Sequence, residues 1–287
     1  MRKLTVKGRA SKALVYCLLV AGSAVFLFPL MWMISTSLKP IEETMRLPPQ
    51  WIPSTFRWVN YWDAVTYQSD KLGYIPFLRY GMNTMYLAIL GVSGTVLANA
   101  FIAYGFARIR WPGRDVFFAI TLATMMIPFP VLMVALFSIF KHLGWVGSFR
   151  PLWVPAWFGS AFNIFLLRQF FLTIPQELCD AARIDGCSEL GIFRHVVLPL
   201  SKPALAVVAL FHFMYVWNDF LGPLIYLTHQ ESFTLSLGLQ VYQSQHGGTP
   251  WNMLMAAATI IVLPIIVVFF FTQRTFIQGI RLTGLKG

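Results

Sequence analysis

Charged residues are scarce in this chain. Of 287 residues, 11 are Asp or Glu and 22 are Lys or Arg, together 11%, against roughly 25% in soluble domains. With 57% hydrophobic residues and a mean hydropathy of +0.65, a water-soluble globule would lack the polar surface to stay dissolved. Cysteine is sparse as well: Cys17, Cys179 and Cys187 form no C-x-x-C pair, so neither a disulfide nor a metal site is expected. The sequence has no G-x-x-x-x-G-K-[ST] phosphate loop, so no nucleotide site of that kind is expected in this chain. No repeat of about 20 to 50 residues recurs, which excludes solenoids.

Long apolar runs fill the chain instead, at about 13–37, 82–107, 115–140, 152–173, 203–228 and 253–273. Each is near the ~20 residues a helix needs to cross ~30 Å of hydrocarbon. Stretches such as IIVLPIIVVFFF do not alternate polar and apolar residues, which excludes barrel strands. The expected fold is an all-α integral membrane protein of six transmembrane helices, a single domain over 1–287, with outer loops at 38–81 and 229–252 and a polar loop at 174–202.

The net charge of +11 reports orientation. Arg2, Lys3, Lys7, Arg9 and Lys12 precede the first run, Arg108, Arg110 and Arg114 follow the second, and Arg168, Arg183, Arg194 and Lys202 surround the 174–202 loop. Arg274, Arg281 and Lys286 close the chain. The positive-inside rule places these segments and both termini in the cytoplasm. No basic patch is interleaved with exposed aromatics, so nucleic-acid binding is not expected. The first run follows basic residues as a secretory signal does, yet continues past Ala21-Gly22-Ser23 beyond the ~7 to 15 residues of a cleaved apolar region. It is expected to remain as an uncleaved span. Pro29, Pro128, Pro130, Pro155, Pro223 and Pro264 interrupt spans and are expected to kink them. The outer segment FRWVNYWDAV, 56–65, reads either as an amphipathic helix on the outer membrane surface or as an aromatic cluster packed on neighbouring spans.

Between the fourth and fifth runs lies ELCDAARIDGCSELGIFRHVVLPLSKPAL, 177–205. Good helix formers predict a short helix from Gln176 to Asp185, with Glu177 and Asp180 in its first turns, where carboxylates favour the helix dipole. Ala181 and Ala182 keep one face small. Gly186 can end the helix in the left-handed conformation, and Ser188 is an N-cap candidate for a second helix, Glu189 to Val197, which Leu198-Pro199 is expected to stop. His195 reads as a solvated surface residue.

The spacing Asp180-Ala181-Ala182, three residues, Gly186, nine residues, Val196, one residue, Leu198-Pro199 resembles the coupling-loop signature of bacterial ABC importer permease subunits. Two positions depart: Asp180 stands for Glu and Val196 for Ile. The strings FLLRQFFLTIPQEL, FMYVWNDFLGPLIYL, TLSLGLQ and QRTFIQGIRLTGLKG extend the resemblance from about residue 13 to the end and direct it to the carbohydrate-uptake branch of the maltose-permease G type. The resemblance implies a non-catalytic membrane subunit of a sugar importer in the bacterial inner membrane. Its partners would be a second homologous permease, two ATPase subunits that bind ATP and Mg, and an extracellular sugar-binding protein.

By that resemblance the ATPase-coupling residues are Glu177, Asp180, Ala181, Ala182, Asp185, Gly186, Leu198 and Pro199. Asn218 and Asp219, inside the fifth span, read either as pathway groups that hydrogen-bond sugar hydroxyls or as a capped kink or inter-subunit contact; Asn163 is a weaker pathway candidate. The 229–252 loop, which has no Lys or Arg, reads either as the segment that enters the binding protein, through Gln245, His246, Gly247, Gly248 and Thr249, or as a plain linker. Residues 283–287 either reach the ATPase or fray. Two other readings stay open: an importer of a polyol or glycerol phosphate, and a gradient-driven transporter, for which Asp219 alone offers a charged relay.

Overall fold

The computed structural model describes residues 9–243 and 248–283. Among them the chain is all-helical. Its main helices are α1 (Arg9–Ser37), α2 (Val59–Val65), α3 (Pro76–Ala107), α4 (Arg114–Ala123), α5 (Phe129–His142), α6 (Arg150–Trp153), α7 (Ala161–Leu172), α8 (Gln176–Ile184), α9 (Glu189–Ile192), α10 (Lys202–Asn218), α11 (Leu221–Tyr226) and α12 (Trp251–Thr283). Ser11–Ser37, Pro76–Ala107 and Trp251–Gln273 are each long and apolar enough to cross a membrane. Three bent helix pairs raise that number to as many as six if each is one span.

Prolines and glycines decide where the remaining runs break. The 115–140 run is not one rod: Arg114–Met126 and Phe129–His142 meet at 99°. Ile127, before Pro128, is extended at φ −83° and ψ 113°, as a residue preceding proline is driven to be. The 152–173 run starts as α6 and a 3-10 turn, Val154–Phe158, and becomes continuous helix only after Gly159 at φ +87°. The 203–228 run stops at Asn218 and restarts at Leu221, because Pro223 has no N–H for the carbonyl of residue 219 and crowds it. Proline also starts helices where its fixed φ costs nothing: Pro76 opens α3 and Pro203 lies in the first turn of α10. Pro29 and Pro264 stay inside α1 and α12.

The expectation that Leu198-Pro199 stops the second loop helix is corrected. The chain widens into a π-helical turn over Phe193–Val197 and stays helical through Leu200. The wider turn relieves the clash between the Pro199 ring and the carbonyl one turn before it. The break comes at Ser201, where Glu189–Leu200 and Lys202–Asn218 bend by 79°.

The chain divides into two compact units, Met1–Gln68 with Val241–Leu263, and Ser69–Gln240 with Pro264–Gly287. In the first unit, α1 is apolar on every side and exposed, with Val25 at 72% and Phe26 at 87%, the character of a lipid-facing helix. Its carboxyl end is closed by Asn60 of α2, whose Nδ2 donates to the carbonyls of Ser37 and Lys39 at 2.8 and 2.9 Å. Asn60 Oδ1 accepts from Asn252 Nδ2 at 3.1 Å. The amphipathic segment forms over 59–65, with Asn60 and Ala64 buried and Trp58 and Trp62 exposed.

In the second unit α3 is the hub, flanked by α7, α10 and the 3-10 turn. Its Ala100, Ala103 and Ala107 admit neighbouring backbones closely. They share one core with Leu167, Phe171 and Val208, and with Cys179, Ile192 and Val197 of the polar loop. The loop is thus built into the helix core.

Candidate functional site

The 174–202 loop begins at an elbow. Pro175 precedes α8, which leaves the line of Arg150–Leu172 by 76°. Arg108, just past the end of α3, fills the elbow: its guanidinium donates to the carbonyls of Phe171 and Ile174, and Nη1 donates to Gln176 Oε1 at 2.7 Å. Those carbonyls lie at and just past the end of α7, where positive charge is favourable; Phe171 O also accepts from Ile174 N–H at 3.2 Å.

Two faces of α8 differ. Cys179 is buried and Ala182 packs on the core, while Glu177, Asp180 and Ala181 are exposed. Leu178 and Ile184, at 45% and 87% exposure, flank Ala181 at spacings of three. The helix ends as its sequence predicts: Gly186 adopts φ +83°, its N–H donates to Arg183 O at 3.0 Å, and Cys187 N–H donates to Ala182 O at 2.9 Å. This pair of bonds is a Schellman closure, with Asp185 at the cap. Ser188 Oγ then accepts from Gly191 N at 3.2 Å and caps α9. Leu198 packs on the core and Pro199 is exposed. His195 is exposed, with Nδ1 3.0 Å from Gly191 O.

Ion pairs brace the loop internally, and a hydrogen bond ties it to α3. Arg183 Nη1 donates to Asp180 Oδ1 at 2.6 Å and Nε to Glu189 Oε1 at 2.9 Å. Glu189 Oε2 accepts from Tyr104 Oη at 2.7 Å. The Arg183 bond, and then the Tyr104 bond, hold the Glu189 carboxyl below its usual range; the same contact raises Arg183. Asp180 is thus engaged within its own helix, also accepting from Gln176 Nε2 at 3.1 Å. Sequence reasoning did not single out Tyr104, Arg108 or Glu189 as site residues. The charge at Glu189 and Arg108 was visible, but their partners lie far along the chain.

A cavity of about 530 Å³ opens among α3, α5, the 3-10 turn, α10 and α11, lined by Asn99, Phe129, Trp145, Tyr215, Asp219 and Tyr226 among others. Asp219 occupies the break between α10 and α11, where its Oδ1 accepts from Gly222 N at 3.0 Å; it caps the restart and also lines the cavity. Asn218 lies outside that lining, exposed and bonded through Nδ2 to Met214 O at 2.8 Å. Asn163 lies outside it too, 8% exposed, with Nδ2 donating to Ser160 Oγ at 2.9 Å. The bends at Pro128, Gly159 and Asp219 turn side chains of separate runs toward one space.

The first part of the 229–252 loop folds onto the start of α3. Asn83 Nδ2 donates to the carbonyls of Glu231 and Phe233 at 2.7 and 3.0 Å, Leu235 N–H to Thr84 Oγ1 at 2.9 Å, and Gln230 Nε2 to Tyr80 Oη at 2.9 Å. Gly248, at φ +82°, and Thr249 precede α12. Gln245, His246 and Gly247 lie outside the described residues.

The family model described as "Binding-protein-dependent transport system inner membrane component" matches residues 91–282. The arabinooligosaccharides transport system permease protein AraQ of Halalkalibacterium halodurans is 34% identical, over 97% of this chain and 99% of the relative. The sn-glycerol-3-phosphate transport system permease protein UgpE of Pectobacterium atrosepticum is 32% identical, over 92% and 94%. A solved bacterial ABC transporter involved in the import of the acidic polysaccharide alginate superposes with a TM-score of 0.80 at 22% identity, covering 93% of this chain and 98% of the other. That likeness concerns the fold.

Proposed function

This chain belongs to the binding-protein-dependent transport system inner membrane component family and is a non-catalytic, multi-pass permease subunit of an ABC importer; from that premise we propose that its cargo is an oligosaccharide and that α8 is the helix on which the ATPase acts. In this reading all six runs span the inner membrane as one permease domain, α4–α5 and α10–α11 as broken spans, with both termini and the 174–202 loop inside. A second, homologous permease completes the path, two ATPase subunits bind ATP and Mg, and an external sugar-binding protein delivers the cargo. By the same reading Gln245, His246, Gly247, Gly248 and Thr249 are the residues that meet that protein.

The observation that carries the reading is the two-faced α8. Cys179 and Ala182 fix it to the core, while Leu178, Ala181 and Ile184 present an apolar edge to the outside, framed by the Asp180–Arg183 pair. An ATPase cleft would bury that edge. Motion of α8 then passes through Arg108 to α3, and through Glu189 to Tyr104 and, past the Ser201 bend, to α10. The 17 residues of α10 reach about 25 Å, from the loop to Asp219 at the cavity. The relatives named for arabinooligosaccharide transport support the sugar.

The test is co-purification of the membrane-expressed chain with the ATPase and second permease encoded beside it. ATPase activity follows, with a panel of sugars and binding protein, for wild type and Gly186→Pro. Stimulation by one sugar that vanishes in the variant is the expected result. Uptake without any ATPase bound would overturn the proposal in favour of a gradient-driven transporter.

A further inference from the structure

We propose that the cavity bounded by α3, α5, α10 and α11 is a subsite for a neutral, hydroxyl-rich sugar; the proposal rests on the importer reading above and names the class of sugar it admits. Tyr226 carries it. The residue is 3% exposed, its ring lies beside Phe137 at 6.3 Å and edge-on to Phe140 at 5.4 Å, and its hydroxyl has no hydrogen-bond partner among the described residues. A buried phenol left this way carries its desolvation penalty until something pairs with it. Because the ring is already held, a ligand hydroxyl meets a group that loses little freedom on binding.

The rest of the wall matches that chemistry. Asp219 makes no ion pair among the described residues, and a carboxylate offers about four acceptor positions, of which the backbone N–H groups of Gly222 and Leu221 occupy two. His212 Nε2 is likewise buried without a partner. Trp145, stacked on Phe140 at 5.5 Å, and Phe129 supply apolar faces against which the C–H side of a sugar ring can lie. The volume falls within the range of small-molecule sites. An acyl chain would fill the space but leave Tyr226, His212 and Asp219 unpaired.

Charge narrows the class. Neither Lys nor Arg lines the cavity, and Asp219 is its one carboxylate. A phosphate or uronate would meet an uncompensated like charge in a low-dielectric space. The subsite therefore suits neutral oligosaccharides and rejects glycerol phosphate and acidic polysaccharide fragments.

The experiment uses the complete importer in proteoliposomes with its binding protein. Diazirine-bearing arabinotriose and maltotriose serve as neutral probes, and unlabelled neutral trisaccharides, sn-glycerol 3-phosphate and an oligoalginate serve as competitors. Labelling is expected on the peptide spanning residues 212–226, suppressed by a neutral trisaccharide and not by either anion. Tyr226→Phe and Asp219→Asn should each reduce it about fivefold, the share of one lost ligand hydrogen bond. Melting and co-purification confirm that each variant folds. Labelling confined to other segments, equal competition by the anions, or undiminished labelling in both variants would overturn the subsite. Sugar uptake in the same vesicles separates the two claims: uptake without label in the cavity sinks the subsite alone. Absence of sugar-stimulated ATPase activity and uptake in the wild type sinks the importer reading as well.

Discussion

Tyr104 and Glu189, 85 positions apart, meet at 2.7 Å. The bond joins the hub helix to the second helical segment of the coupling loop, and Arg183 closes the link to α8 at 2.9 Å. Removing the hydroxyl should loosen transmission without unfolding either part. Tyr104→Phe is expected to lower sugar-stimulated ATPase activity several-fold while leaving co-purification with the ATPase intact. A double-mutant cycle with Glu189→Gln on thermal stability should return a coupling of about 1 kcal/mol, because the carboxylate is half exposed and its bonds are screened. Additive effects of the two substitutions would contradict the link.

The acid limb of stability has a sign set by the same carboxylate. Glu189 is held below its ordinary value of 4.5 by Arg183 and Tyr104. Its contribution is therefore complete above that value and is lost as pH falls through the lower, folded one. Melting of the purified complex between pH 6 and about pH 3 should show a loss that is smaller in Glu189→Gln.

Gly186 has open space around it, so a methyl group there meets no neighbour. The penalty is purely conformational. Gly186→Ala should cost about 1 kcal/mol through its positive φ, read as a small fall in Tm with coupling largely kept. Gly186→Pro cannot adopt φ +83° and loses the N–H bonded to Arg183 O, so sugar stimulation of the ATPase should disappear.

Gly222 is constrained by space. A Cβ there would lie 2.5 Å from Asp219 Oδ2 and 3.0 Å from Leu152 Cδ2. Gly222→Ala should displace the carboxylate and reduce uptake about tenfold, with a stability loss of about 1–3 kcal/mol from overpacking. Uptake at the wild-type rate would show that the position of this carboxylate does not matter.

Lys39 is fully buried, its Nζ lacks a hydrogen-bond partner, and the ammonium lies 3.9 Å from the centre of the Trp32 ring. One ring face compensates poorly for lost hydration. Lys39→Met should raise the Tm by a few degrees, an effect of about 1 kcal/mol. Burial lowers the Lys39 pKa from 10.5. The folded state thus sheds its proton first, and wild-type stability should rise with pH between the lowered value and 10.5, a rise absent in the variant.

What was legible in the sequence was local. Gly186 and Ser188 end and start helices through bonds within a few residues, and proline announces its own conformation, so both loop helices could be placed from composition alone. The stop assigned to Pro199 misread one element: a π turn absorbs that residue, and the break falls at Ser201. Arg108 and Tyr104 were hidden because their partners are separated by 63 or more positions, which no periodicity reports. Asn218 and Asp219 looked alike as polar residues in an apolar run, with Asn163 the weaker candidate. Their surroundings differ: Asn218 bonds one turn back along its own helix, whereas Asp219 sits where Pro223 has interrupted the backbone ladder.

In the reading proposed above, the burial of Cys179, Ile192 and Val197 in the core of α3 and α10 would make the 174–202 loop a crank rather than a tether. A tether would absorb a push from outside as slack. A crank pivoting at Ser201 with an arm of about 25 Å turns each 5° of rotation into about 2 Å of travel at the far end of α10, which is enough to break or remake a hydrogen bond at Asp219. If an ATPase acts on α8 as proposed, the stiffness of that core sets how little movement is needed to reach Asp219.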